Sequence, residues 1–342
     1  MKIAAILCEY NPLHDGHRRH IALTKAAGFD AVAAVMSGNF VQRGDVAVYD
    51  KWIRAKAAID AGINLVVEVP TSCVLQSAQG YAEAGVTIMA ALGASAISFG
   101  SECGDVDLLM AAARRFSQSG ERIKEEMAKG FSYPVARQVA LDELGRLLNK
   151  SNNTLGIEYC AAIEKFNLPI SPFTVLRPED SIRASVIRET LSGGDDTHEL
   201  KHLDRAILAR LRTLPPSYFA TLPDVTEGLE NRIVATIRSA SSFFDVVYGV
   251  STKRYTLARI RRILLRAFLD VPNIETPAQL RVLALDNIGR EIIKGASLPV
   301  VTKAANANFE TEGKCTDLYA LSRLQPDPCG LEYTKEVYYL DN

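Results

Sequence analysis

The segment Glu9-Tyr-Asn-Pro-Leu-His-Asp-Gly-His17 sets two imidazoles, His14 and His17, three residues apart around a glycine, after an apolar run and at the start of a helical stretch reaching about Ala27. Residues three apart share one helix face. A helix N-terminus offers free N–H groups and a positive dipole end, and Gly16 lets a phosphate approach the backbone. Two donors on such a face can take up charge on an α-phosphate during in-line displacement, so the expected chemistry is nucleotidyl transfer. Positioning and charge stabilisation carry it, and no general base is essential. Two plainer readings use the same residues. His14, His17 and His20 also fit a metal-binding stripe with Glu9 and Asp15 as acidic neighbours, or the segment is a solvated helix start. His20 itself reads as helix face.

A second constellation is Ser181-Ile-Arg-Ala-Ser-Val-Ile-Arg-Glu-Thr190, a helix start that places Ser185 and Arg188 about one turn apart. A hydroxyl, helix N–H groups and a guanidinium suit β- and γ-phosphates and a leaving group. Taken alone, the segment resembles any surface helix. Gln42-Arg43-Gly44-Asp45 and Lys51-x-x-Arg54 add Arg43, Lys51 and Arg54, cations able to face a triphosphate, pyrophosphate or RNA. Structural salt bridging is an equal reading for Arg54. Trp52 reads as packing and Asp50 as a helix N-cap.

These residues need a frame. Residues 2–8 are continuously apolar, the pattern of a strand buried on both faces, and the unit recurs. Strands are predicted over 30–36, 64–69, 94–99 and 170–176, and helices over 51–61, 74–91, within 105–148 and over 181–191. This alternation predicts an α/β fold with a doubly wound parallel sheet. Active sites in such sheets lie at the carboxyl ends of the strands, which points to residues 9–17, 37–45, 70–73 and 100–104. After Gly193-Gly-Asp-Asp196 helical patterns dominate, so the expected domains are 1–195, nucleotide-binding, and 196–342, mainly helical.

The 342 residues carry 39 Lys+Arg against 40 Asp+Glu and are 48% hydrophobic, an ordinary globular composition. The neutral total conceals a basic middle, because residues 201–266 hold 12 Lys+Arg and only 5 Asp+Glu. There Lys253, Arg254, Arg259, Arg261, Arg262 and Arg266 accompany Ile260, Ile263, Leu264 and Phe268 on a predicted amphipathic helix. Such a cationic face is commonly just solvated, and it also suits a phosphate backbone. The six cysteines include no CxxC pair, and no apolar run approaches the roughly 20 residues of a membrane span. The N-terminal run is too short for a signal peptide, so a cytoplasmic location is expected. His198-Glu-Leu-Lys-His202 matches the zinc-protease pattern HExxH. No histidine follows it to act as third ligand, and Lys201 would oppose a bound cation. A solvated helix start is the reading preferred there, and no protein-held metal is expected.

His14-x-Gly-His17 with the Ser185/Arg188 helix resembles the nucleotidyltransferase superfamily of Rossmann-like enzymes that includes the class I aminoacyl-tRNA synthetases. Longer stretches resemble the bacterial tRNA(Met) cytidine acetate ligases through most of the chain. They are Glu9 to His17, Val35-Met-Ser-Gly-Asn-Phe-Val-Gln-Arg-Gly44, Lys51-Trp-Ile-Arg54, Phe99-Gly-Ser-Glu102, Asn152-Asn-Thr-Leu-Gly-Ile-Glu-Tyr159 and Leu257-Ala-Arg-Ile-Arg-Arg-Ile-Leu-Leu265.

The resemblance implies a Rossmann-like domain followed by a mainly helical one. It implies a ligase that makes acetyl-adenylate and pyrophosphate from acetate and ATP, with Mg²⁺ accompanying the nucleotide. The acetyl group then passes to N4 of the wobble cytidine of elongator tRNA(Met), giving N4-acetylcytidine. The implied ATP site is Leu7, Cys8, Glu9, Tyr10, Asn11, Pro12, Leu13, His14, Asp15, Gly16, His17, Arg18, Arg19 and His20, with Gly100, Asn152 and Arg177. His14, His17, Ser185 and Arg188 form the expected catalytic set, and Lys253, Arg254, Arg259, Arg261 and Arg262 the expected tRNA contacts. Gly100 follows the fourth predicted strand, where backbone can approach the adenosine, and Arg177 ends the last one. Two rival readings are a small-molecule adenylyltransferase acting on a phosphorylated metabolite and an RNA-binding protein that keeps the fold without catalysis.

Overall fold

The structure, a computed structural model, describes residues 1–178, 184–226, 228–303 and 309–341. Its strands are β1 (Ile3–Cys8), β2 (Ala31–Ser37), β3 (Phe40–Val41), β4 (Asp45–Val46), β5 (Leu65–Val69), β6 (Ala96–Ser101), β7 (Ser171–Leu176), β8 (Leu280–Asp286), β9 (Val300–Val301) and β10 (Tyr338–Leu340). Eight of them form one sheet in the order β10-β8-β5-β2-β1-β6-β7, with β9 beside β8. The five predicted strands are mutually parallel, and all seven residues of β2 are buried, as the Ala/Val-rich sequence demands of a strand covered on both faces. One face carries the helices Ala78–Ala91, Val106–Ser117 and Ser151–Lys165, and the other carries Asp15–Ala26 and Lys51–Asp60. Chain order reverses at β1, between β2 on one side and β6 on the other, which opens a crevice at their carboxyl ends.

Beyond residue 196 the chain is helical through the Leu257–Leu269 helix, which belongs to a separate apolar cluster with the Asp204–Thr213, Leu229–Ile237 and Phe243–Val250 helices. It then returns to the sheet, so the 196–342 segment expected to be mainly helical also supplies β8, β9 and β10. β8 pairs antiparallel with β5, and β10 lies parallel to β8. The run Leu280-Arg-Val-Leu-Ala-Leu-Asp286 is wholly buried, but its Leu/Ala content reads equally as helix. The predicted 37–45 loop is partly the β3–β4 hairpin, turned by Gly44 at φ +75°. The 70–73 segment opens the short Thr71–Val74 helix and lies away from the crevice. Among the described residues no helix is long and apolar enough to cross a membrane.

Candidate active site

A cavity of about 510 Å³ occupies the crevice, within the range typical of small-ligand sites. Its walls include Leu7, Cys8, Glu9, Tyr10, Asn11, His14, Asp15, Gly16, His17, Arg19 and His20 from the first strand–loop–helix unit. Gly100, Asn152, Arg177 and Arg188 join them from distant parts of the chain, so one cavity brings together most of the residues expected at the site. Pro12, Leu13 and Arg18 stand outside the lining: Leu13 packs toward the core beneath the loop, and Arg18 faces solvent. Ser185 is exposed and off the wall. The Ala184–Leu191 helix presents Ala184, Ile187 and Arg188 to the cavity, and Ser185 lies about 100° round the helix from Ala184. Residues 181–183 of that segment lie outside the described residues.

The His-x-Gly-His loop closes on itself. His14 is the N-cap of the Asp15–Ala26 helix, and its Nδ1 accepts from Gly16 N–H at 3.1 Å. His17 Nδ1 accepts from His14 N–H at 3.3 Å, and the two rings stack with centroids 3.8 Å apart. Backbone N–H groups only donate, so both Nδ1 atoms must be acceptors and each neutral ring carries its hydrogen on Nε2. The pair is thereby set as two N–H donors. Burial holds His17 down to about 3, helped by the neighbouring imidazoles and Arg177, and burial with Arg177 also lowers His14. The site thus offers neutral donors rather than cations at physiological pH. Gly16 answers a steric need of this loop, since a Cβ there would stand 2.9 Å from His14 Cε1. His20 is turned aside to Ser98 Oγ at 2.9 Å, and burial holds it near 4. The three imidazoles therefore do not converge as a metal stripe.

Cations surround this pair. Arg188 donates from Nη1 to Asn11 O at 2.9 Å, and Arg177 to Asn152 Oδ1 at 3.1 Å. Asn152 is fixed in turn by Glu102, whose Oε1 accepts its Nδ2–H at 2.6 Å. Gly100 makes room for the Arg177 stem, because a Cβ there would lie 3.0 Å from Arg177 Cγ. Gln42 and Arg43 reach the cavity from the β3–β4 turn, and the apolar walls Tyr81, Phe99, Leu155 and Tyr159 complete it. Phe99, Leu155 and Tyr159 fall within stretches that carry the family resemblance, whereas Tyr81, on the Ala78–Ala91 helix, had no signal of its own.

Lys51 and Arg54 do not face the cavity. Arg54 is buried and donates to the carbonyls of Glu9, Ser37, Gly38 and Tyr49, pinning the β1 and β2 ends. Lys51 is buried between Glu68 and Glu332. Trp52 packs in the core and Asp50 caps its helix, as expected. The HExxH segment is no solvated helix start: His198 is buried, stacks on Tyr319 at 3.9 Å and bonds Ser322 Oγ, and His202 Nδ1 bonds Ser322 O. Among the described residues no cluster of three His, Cys, Asp or Glu could hold a metal.

The expected RNA-facing set divides. Lys253 and Arg254 are exposed. Arg259 donates to Asp224 O, Arg261 stands 3.4 Å from Asp45, and Arg262 is only 8% exposed, 3.8 Å from Asp224. From Ile260 to Leu269 the helix is buried except at Arg261, so it is a core element rather than a cationic face. Its period-3.6 pattern was legible, but neighbours cover both sides.

A family model described as HIGH Nucleotidyl Transferase matches residues 1–193 and 181–329. The chain is 31% identical to the tRNA(Met) cytidine acetate ligase of Acetivibrio thermocellus across 98% of this chain and 99% of that one. It is 34% identical to the Clostridium kluyveri enzyme of the same name across 90% and 91%. Thermotoga maritima TmcAL bound with alpha-thio ATP superposes with a TM-score of 0.92 at 28% identity, covering all of both chains.

Proposed function

The chain belongs to the tRNA(Met) cytidine acetate ligase family, and from that premise we propose that it joins acetate to ATP in the β1/β6 crevice and acetylates N4 of the wobble cytidine of elongator tRNA(Met). In the first step an acetate oxygen attacks the α-phosphorus, pyrophosphate leaves and acetyl-adenylate remains. The Nε2–H groups of His14 and His17 donate to the α-phosphate as its charge grows. Arg188, Arg177 and Arg43 meet the rest of the triphosphate. Mg²⁺ would enter with the nucleotide and spread the charge of its phosphates, since among the described residues Glu9 and Asp15 are the only carboxylates on the cavity wall. In the second step N4 attacks the acyl carbon and AMP leaves. The wobble base must be extruded to reach the cavity, while the exposed Lys253 and Arg254 belong to the surface that positions the RNA backbone. These substrates place the reaction in the cytoplasm.

The observation that carries this reading is the fixed donor tautomer of His14 and His17 inside a cavity ringed by arginines. The experiment is acetate-dependent ATP–pyrophosphate exchange, followed by mass analysis of nucleosides from unmodified elongator tRNA(Met) incubated with ATP and acetate. N4-acetylcytidine is the expected product. Exchange with a phosphate ester but not with acetate would mark a small-molecule adenylyltransferase instead.

A further inference from the structure

We propose that Glu9 is the proton acceptor of the acetyl-transfer step, taking a proton from the cytidine amine as it attacks the acetyl-adenylate. The inference rests on the reading of the crevice as an acetyl-transferring site. An exocyclic amine conjugated to a pyrimidine is a weak nucleophile, and its attack leaves a surplus proton on nitrogen. The N4 lone pair forms the new C–N bond, and the C–O bond to AMP breaks with its electron pair leaving on the phosphate. The N4 proton passes to the Glu9 carboxylate and from there to solvent.

The groups on the cavity wall leave few candidates. His14 and His17 spend Nδ1 on backbone N–H groups, so the nitrogen each turns outward already carries hydrogen and cannot accept. His20 is engaged with Ser98. Tyr10, Tyr81, Tyr159 and Cys8 are protonated groups whose burial pushes them further from ionising. Among the described residues two carboxylates remain. Asp15 is exposed on the first turn of its helix, whereas Glu9 stands at the carboxyl end of β1, where strand order reverses.

Glu9 is also held as a working base should be. Its carbonyl accepts from Arg54 at 2.6 Å and its Oε1 from Gln42 N–H at 2.9 Å. Oε2 meets no hydrogen-bond donor among the described residues. The charges that face it are Arg43 from the β3–β4 turn, Arg54 from the Lys51–Asp60 helix and Arg188 from the Ala184–Leu191 helix. Burial raises its pKa, against the Gln42 N–H and the three arginines that favour the charged form, so its carboxylate is a stronger base than a solvated one.

Glu9→Gln keeps the shape and the acceptor for Gln42, and tests the role. Acetate-dependent exchange and single-turnover acetyl transfer to unmodified elongator tRNA(Met) are measured on the same preparation from pH 5 to 9. The expected result is a fall in transfer of about 10²–10⁴-fold, at least tenfold beyond any fall in exchange, with loss of the wild-type acid limb. Glu9→Asp, which keeps a carboxylate one methylene shorter, should transfer at an intermediate rate and retain that limb. Transfer that falls no further than exchange, an acid limb surviving in Glu9→Gln, or the same selective loss in Asp15→Asn would overturn the inference. Wild-type protein that shows no acetate-dependent exchange would overturn the functional reading itself.

Discussion

Each imidazole of the His-x-Gly-His loop does two jobs at once, capping a helix with Nδ1 and aiming a hydrogen from Nε2. Removing one such donor from a charge-developing site typically costs 10²–10³ in rate. His17→Ala should therefore lower the kcat of acetate-dependent exchange by about that factor, and loss of the bond to His14 N–H should cost about 1 kcal/mol of stability in chemical denaturation. The lowered pKa has a pH consequence of definite sign. An imidazole near 3 in the folded chain and near 6.5 in the unfolded one binds fewer protons when folded. Its stability contribution is full above about pH 6.5 and drains as pH falls toward 3. The melting temperature of His17→Gln should accordingly fall less steeply from pH 6.5 to 4 than that of the wild type, and parallel profiles would show that His17 titrates normally. At this scale the spacing of His14 and His17 was legible because it is local. The roles of Gly16 and Gly100 were not: each makes room for a neighbouring side chain, His14 in one case and Arg177 in the other.

Between residue and molecule lies the β3–β4 hairpin, which carries Gln42 and Arg43 into the cavity on one side and meets the Leu257–Leu269 helix on the other. A Cβ on Gly44 would lie 2.6 Å from Arg261 Cβ and 2.9 Å from Arg262 N, in a backbone conformation with φ +75°. Gly44→Ala must therefore push the helix and hairpin apart. It should cost about 1–3 kcal/mol in denaturant unfolding and raise the KM for ATP, since Gln42 and Arg43 move with the turn. Two arginine-rich positions that look alike in sequence should also part company. Arg262→Glu buries a reversed charge beside Asp224 and should destabilise the fold by about 3–5 kcal/mol. Lys253→Glu, on exposed chain, should leave the melting temperature within a degree or two and weaken tRNA binding in low-salt filter assays. Equal melting temperatures for the two variants would refute the division of this segment into core and surface.

For the molecule as a whole, the sheet depends on chain that arrives last. β8 covers the edge of β5, and Glu332 supplies one of the two carboxylates against the buried Lys51. Removing Glu332 would leave Lys51 with Glu68 alone, and removing everything after Leu269 would also strip β5 of its neighbour and expose an apolar strand edge. A chain ending at residue 269 should thus fail to give a cooperative melt and partition to the insoluble fraction. A soluble, cooperatively melting fragment would restore the simpler two-domain division at 195/196.

Taken by itself, the sequence determined what depends on near neighbours: five parallel strands from their apolar runs, the helix starts at His14 and Asp50, and the loop at the end of the first strand that lines a cavity. The structure decided what depends on distant ones. Whether an arginine in a basic run faces RNA or an aspartate, whether Lys51 and Arg54 serve a ligand or hold strand ends, and whether a Leu/Ala run is helix or strand are settled by the partner that burial brings alongside. A charge or an apolar residue carries no record of that partner in its own segment, because the energy that selects among them is the cost of burying it alone.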